Sequence, residues 1–250
     1  MENVGLSDDK QKQDICVAKH PLDILVISDL HYRRVPAAEE NTRRRGELAR
    51  ILLRKCFWRV RHMGRQPDLV VLLGDLVDDE RCVEWGANAL VAEIKDAGDF
   101  PVLCVPGNHD GSAETVASAF SCSPGLHEVG GYGFLVFHDP YEESMYCQRR
   151  SADLELPGQV AAARPGLPLI ALQHNPLYPE IESDYPYLPE NASAIRDSYN
   201  AAGVRLSLSG HYHPGQDWHE HNGVTYCTLP ALCEAPFRFA LIHLEEGDMR

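Results

Sequence analysis

Leu22-Asp23-Ile24-Leu25-Val26-Ile27-Ser28-Asp29-Leu30-His31 begins as a short apolar run and closes on an aspartate and a histidine two residues apart. A run of this length, rich in aliphatic side chains, reads as a buried strand over Leu22–Ser28, with its polar residues at the carboxyl end. The same arrangement returns four times. Asp68–Leu73 leads into Gly74-Asp75-Leu76-Val77-Asp78, and Pro101–Val105 leads into Pro106-Gly107-Asn108-His109-Asp110. Leu169–Gln173 delivers His174, and Val204–Leu208 runs into Gly210-His211-Tyr212-His213. In open α/β sheets, ligands bind beyond the carboxyl ends of the strands. Five strands finishing in Asp, Asn or His therefore point to one shared edge.

Between these strands the pattern turns helical over Glu47–His62, Val83–Ala97 and Ser193–Ala202. Further strands are expected at Phe134–Phe137, Val224–Leu229 and Arg238–Leu244. Alternating strand and helix, followed by strand-rich sequence, predicts a layered α/β domain with one mixed sheet or two. No fixed-period repeat or low-complexity linker interrupts it.

The chain has 250 residues, 37 acidic against 23 basic, and a formal net charge of −14. That balance weighs against nucleic acid or an anionic membrane surface as the main partner. The early apolar run Ile24–Ile27 is far short of the ~20 residues of a membrane span, and nothing later reaches that length. Met1 to His20 is polar and mixed in charge, with no basic start and apolar stretch of a secretory leader, so residues 1–20 read as a flexible tail and the expected location is cytoplasmic. The eight cysteines form no CxxC pair, which favours free thiols in a reducing compartment over disulfides.

The strand ends offer Asp29, His31, Asp75, Asn108, His109, His174, His211 and His213. Imidazoles, carboxylates and one amide oxygen make a nitrogen–oxygen shell that suits Zn, Mn, Fe or Co rather than a soft thiolate metal or a bare calcium site. Eight such groups are too many for one tetrahedral ion and fit two ions sharing a carboxylate, an arrangement used for displacement at phosphorus. Asp29 and His31, like His211 and His213, are two apart, so on an extended strand end both side chains would leave the same face. Gly74, Gly107 and Gly210 would permit tight turns before the ligands.

The ordered set Asp29-Leu30-His31, Gly74-Asp75-Leu76-Val77-Asp78, Gly107-Asn108-His109-Asp110, His174 and Gly210-His211-Tyr212-His213 resembles the calcineurin-like metallophosphoesterases. The resemblance covers about Leu22 to Leu244. It implies a four-layer α/β/β/α sandwich with two mixed β-sheets, occupying residues 21–250. It implies that Asp29, His31, Asp75 and His213 hold a first ion, that Asp75, Asn108, His174 and His211 hold a second, and that Asp75 bridges them. The cofactors would be two divalent or trivalent ions, with Mn, Fe, Zn and Mg not distinguished. A metal-bridging hydroxide would attack a small phosphoester, a phosphodiester slightly favoured over a phosphomonoester or phosphoprotein. Asn108 and His109 would contact the phosphoryl group, His109 would protonate the leaving group, and Asp78 would orient His109, with Asp110 an alternative partner. A scaffold that has lost catalysis is the competing class, and it is disfavoured because every motif residue is intact. A cysteine hydrolase is disfavoured because no cysteine occupies a strand-end motif. Oligomeric state is left open.

Two further features stand outside the motifs. Arg33 to Arg65 holds 11 of the 23 basic residues and three acids, Glu39, Glu40 and Glu47. This reads first as a solvated helix face, and second as a basic wall with Arg33 or Arg34 contacting substrate near the metals. The loop Asn175 to Glu190 is rich in Pro and Tyr, either as a rigid surface loop or as an aromatic wall for the substrate. His20, His62, His127, His138, His219, His221 and His243 read as ordinary packed or solvated histidines.

Overall fold

In the computed structural model, residues 21–35, 43–111, 113–141, 146–245 and 248–249 are described. The expected tail, 1–20, lies outside them, as do Glu39 and Glu40 of the basic segment. The elements in chain order are β1 (Leu22–Ile27), α1 (Ala49–His62), β2 (Leu69–Leu73), α2 (Val83–Ala97), β3 (Val102–Val105), α3 (Ala113–Phe120), β4 (Gly125–Val129) and β5 (Tyr132–Val136). They continue with α4 (Ser151–Ala163), β6 (Leu169–Leu172), α5 (Ala192–Ala202), β7 (Val204–Ser209), β8 (Gln216–His221), β9 (Val224–Thr228), β10 (Ala240–Glu245) and β11 (Asp248–Met249).

The strands form two mixed sheets. One has the order β11-β10-β1-β2-β3 and the other β4-β5-β6-β7-β9-β8. β1, β2 and β3 are parallel, with Ile27 opposite Leu72 and Leu73 opposite Val105, so their carboxyl ends are level. β6 and β7 are likewise parallel, with Leu172 opposite Leu208. Alternation along a strand sends neighbouring side chains to opposite faces. Phe134, Val136, Ile170, Leu172, Leu206 and Leu208 enter the core shared with the first sheet and α1–α3. Their neighbours Leu135, Phe137, Leu169 and Ala171 pack instead with Val160 of α4 and Ile195 and Tyr199 of α5. The result is the four-layer order helix, sheet, sheet, helix, as the resemblance implied.

Helix α1 buries Leu52, Leu53, Cys56, Phe57 and Val60 against the first sheet. Its arginines do not reach the strand ends. Arg50 and Arg54 close instead on the buried Glu93 of α2, at 2.5 and 2.9 Å, which answers the basic stripe with an inter-helix contact. In the outer layer a buried Arg149 pairs with Asp139 at 2.7 Å and stacks its guanidinium 3.7 Å over the Phe137 ring. Among the described residues, no helix is long and apolar enough to cross a membrane.

Candidate metal centre

The ligand candidates meet where the two sheets abut at their carboxyl edges. The strand-end turns are tied to one another by backbone bonds: Asp29 N–H donates to the Gly74 carbonyl (3.1 Å), His31 N–H to Asp75 (2.8 Å) and Gly210 N–H to His174 (2.9 Å). One expectation needs correction here. β1 ends at Ile27, and Asp29, His31, Asp75 and His211 have φ of 53, 43, 49 and 67°, so they are not on extended strand. Left-handed turns, rather than strand alternation, aim these side chains inward. Asp and His are among the residues that enter this region most readily, and such conformations persist where the surroundings over-determine them.

The clustering follows from the atoms. The Asp75 carboxylate lies between two histidine groups: Oδ2 is 3.4 Å from His31 Nε2 and Oδ1 is 3.5 Å from His174 Nε2. On the first side, His213 Nε2 is 3.2 Å from His31 Nε2 and 3.5 Å from Asp29 Oδ1. Asp29, His31, Asp75 and His213 each place a ligand atom within 4.8 Å of the others, as do Asp75, His174 and His211. Asp29 Oδ1, Asn108 Oδ1 and His174 Nε2 are buried without a hydrogen-bond partner. A buried polar atom without a partner is costly. Three such atoms, all of ligand type, are suited to cations as partners. The residues present therefore fit two metal ions.

The buried carboxylate and imidazoles of the cluster shift one another. Burial alone would push Asp75 up, but the imidazoles of His174 and His31 outweigh it and hold the carboxyl well below its usual range. His174 is raised to about 9 because Asp75 overcomes the penalty of burial. Burial and the neighbouring His174 push His211 down to about 3.

Two of these histidines have their second nitrogen tied to a hydrogen-bond partner. His174 Nδ1 donates to the Leu73 carbonyl at 2.6 Å, leaving Nε2 to face Asp75. His213 Nδ1 meets the Glu234 carboxylate at 2.7 Å. Nothing in the motifs had singled out Glu234, which stands 21 residues beyond the His it contacts; no local spacing signals it. His31 Nδ1 is 3.3 Å from Asp78 Oδ1.

The expected partner of His109 is also revised. Residue 78 does hold that ring, but through its main-chain carbonyl, 3.2 Å from Nδ1. The Asp78 carboxylate faces His31 and accepts from Arg33 Nη1 at 2.9 Å. Hydrogen bonding to His31, with two arginines nearby, holds Asp78 below its ordinary range. The alternative, Asp110, is a fully buried tie that accepts from the amides of Leu76, Val77 and Gly107 at 2.8–3.0 Å. It joins the second and third strand-end loops and leaves His109 alone.

A cleft of about 460 Å³ opens over Asp75, Asn108, His109, His211 and His213. Arg33 is consumed by Asp78, and Arg34 stacks on Trp85, its guanidinium 4.2 Å from the ring centre. The arginines lining the cleft are Arg43 and Arg44, with Arg44 Nη1 3.4 Å from His109 Nε2. Tyr185 and Tyr187 of the Pro/Tyr loop line the same cleft, with ring centres 5.6 and 5.5 Å from that of His211. That loop is a wall of the site. By contrast, His219 and Glu220 of β8 are exposed, and His221 stacks on Tyr178. The seven described cysteines carry free thiols. Burial raises the thiols of Cys56, to about 12, and Cys227, to about 11, and Cys233 also lies above its ordinary value for the same reason.

The model of the calcineurin-like phosphoesterase family matches residues 22–215, and the chain belongs to that family. It is accordingly a metal-dependent phosphoester hydrolase by class. A probable cyclic nucleotide phosphodiesterase of Psychrobacter arcticus is 24% identical over 228 residues, 85% of this chain and 80% of the relative. The human serine/threonine-protein phosphatase CPPED1 is 31% identical over 176 residues, 62% of this chain and 56% of its own length. Among solved structures, a dimetal phosphatase from Danio rerio superposes with a TM-score of 0.75 at 18% identity, covering 91% of this chain and 94% of its own. A purple acid phosphatase from yellow lupin gives 0.61 at 14% identity, covering 91% of this chain and 50% of the lupin chain. These two likenesses concern the fold.

Proposed function

We propose that this chain is a dinuclear metal-dependent phosphohydrolase acting on small phosphoesters, with diesters favoured over monoesters. The observation that carries the reading is the Asp75 carboxylate, whose two oxygens face separate histidine groups 3.4 and 3.5 Å away. Asp29, His31, Asp75 and His213 would hold one ion, and Asp75, Asn108, His174 and His211 the other. When bound, two such ions supply Lewis acidity toward the phosphoryl oxygens and an activated water at neutral pH.

The remaining work falls to the chain's own side chains. His109 presents Nε2 to the cleft because its Nδ1 is fixed by the Asp78 carbonyl. That nitrogen is placed to give a proton to a leaving oxygen. Arg44, beside His109, supplies a guanidinium for non-bridging phosphoryl oxygens. Tyr185 and Tyr187 offer a flat apolar wall to the leaving group.

The preference for diesters is supported by the phosphodiesterase relative, which aligns over most of both chains. A monoesterase is the second reading, favoured by Arg43 and Arg44, since two cations suit a dianion. Turnover of bis-p-nitrophenyl phosphate and p-nitrophenyl phosphate on one Mn-loaded sample separates the two. Faster diester hydrolysis is expected. Turnover of the monoester alone would move the assignment to the second reading, and no turnover of either ester with ions bound would overturn both.

A further inference from the structure

We propose that Asn175 is a positioning residue that holds the tyrosine wall of the cleft, and so makes the site select phosphoesters that carry an aromatic group. The inference rests on the dinuclear reading above and deepens it by naming a substrate class. Asn175 directly follows His174 and is only 1% exposed. Its amide Nδ2 donates to the Tyr187 carbonyl at 2.9 Å. Its Oδ1 accepts from the Tyr141 hydroxyl.

The three groups fix one another's roles. A main-chain carbonyl can only accept, so the amide nitrogen must be the atom that faces Tyr187. The amide oxygen then faces Tyr141, whose hydroxyl must donate. Burial holds the Tyr141 phenol well above its ordinary range, so that proton stays in place. Tyr141 is itself bridged to Cys147. The chain Tyr141–Asn175–Tyr187 therefore ties the Pro/Tyr loop to the segments that leave β5 and β6.

The loop needs this tie at the place where it meets the cleft. Leu177 and Leu188 pack against the outer core, but residues 182–184 between them are exposed. The backbone bonds of the two tyrosines stay inside the loop: Tyr187 N–H donates to the Tyr185 carbonyl at 2.9 Å, and Tyr185 N–H to the Ser183 hydroxyl at 3.0 Å. The Tyr185 and Tyr187 rings stand 4.7 Å apart, and Tyr187 meets Tyr212 edge-on at 5.0 Å. Rings held in place before the ester arrives need not be ordered on binding. An aromatic group of the ester packs against them at little entropic cost.

The test is titration calorimetry of the Mn-loaded full chain with phenylphosphonate and methylphosphonate, with metal counted by elemental analysis. The two probes share the phosphonyl group and differ in the ring. The wild type should bind the phenyl compound more tightly. Asn175→Ala should weaken phenylphosphonate ~10-fold and leave methylphosphonate affinity and metal content unchanged. Tyr141→Phe removes one hydroxyl and should shift the same ratio in the same direction, and it decides the matter if Asn175→Ala fails to fold. In a Tyr185→Ala/Tyr187→Ala background, Asn175→Ala should change the ratio no further, because it acts through the wall. A wild type with no preference for the ring, a preference kept in both Asn175→Ala and Tyr141→Phe, or equal loss of both probes would overturn the inference and leave the dinuclear reading standing. A wild type that binds neither metal nor phosphonate would overturn the two together.

Discussion

Each metal-facing histidine carries a second nitrogen that must be tied down, and the way it is tied decides which atom faces the metal. His174 uses the Leu73 carbonyl and His213 uses the Glu234 carboxylate. A carboxylate behind a ligating imidazole fixes its tautomer and raises its basicity. Glu234 is therefore a positioning residue for the first ion. Glu234→Ala should weaken that ion by ~10–100-fold in a chelator competition, with Glu234→Gln recovering part of the loss through its remaining acceptor oxygen. Equal metal affinity in all three proteins would remove this role. At this scale the ligand types were legible in the sequence, because Asp-x-His, Gly-Asn-His-Asp and Gly-His-x-His name them directly. Their partners were not. Glu234 and Arg44 are brought in by the fold across gaps that no local spacing marks, and Asp78 reaches His109 with its backbone, which a sequence of side chains cannot display.

At the scale of elements, the centre depends on turns that let backbone pass very close to carboxylates. At Gly74, with φ of 88°, a Cβ would strike the His174 ring. At Gly107 a Cβ would run into the Asp75 amide nitrogen and Oδ1. Here the requirement is close approach of two loops, a second reason for glycine besides left-handed backbone. Gly107→Ala should push Asp75 out of its place between the histidine groups and lower bound metal per chain in elemental analysis, with the fold retained in circular dichroism. Full metal occupancy in that variant would show that the contact is dispensable. Most of the ladder was readable: β1, β2, β3, β6, β7 and α2 fall where apolar runs and helical periodicity put them. Four elements were not anticipated, for physical reasons. α4 contains Pro157 and small residues with no clear apolar stripe, α3 has only 8 residues, β4 is half-exposed, and β11 is only 2 residues long.

For the whole molecule, two sheets pressed face to face bring five strand ends from separate parts of the chain to one edge. Neither sheet could build the centre alone: the first supplies Asp29, His31, Asp75 and Asn108, and the second supplies His174, His211 and His213. Asp75 is the point at which the two contributions meet. The four-layer order was implied by the family resemblance, whereas alternation of strand and helix alone left one sheet or two open. The most direct test of this account is metal content by elemental analysis of the reconstituted full chain and of Asp75→Asn. The account expects about two ions per wild-type chain and loss of at least one of them, together with phosphoester turnover, in the variant. A wild-type chain that holds fewer than two ions, or an Asp75→Asn chain that keeps both ions and full turnover, would contradict it.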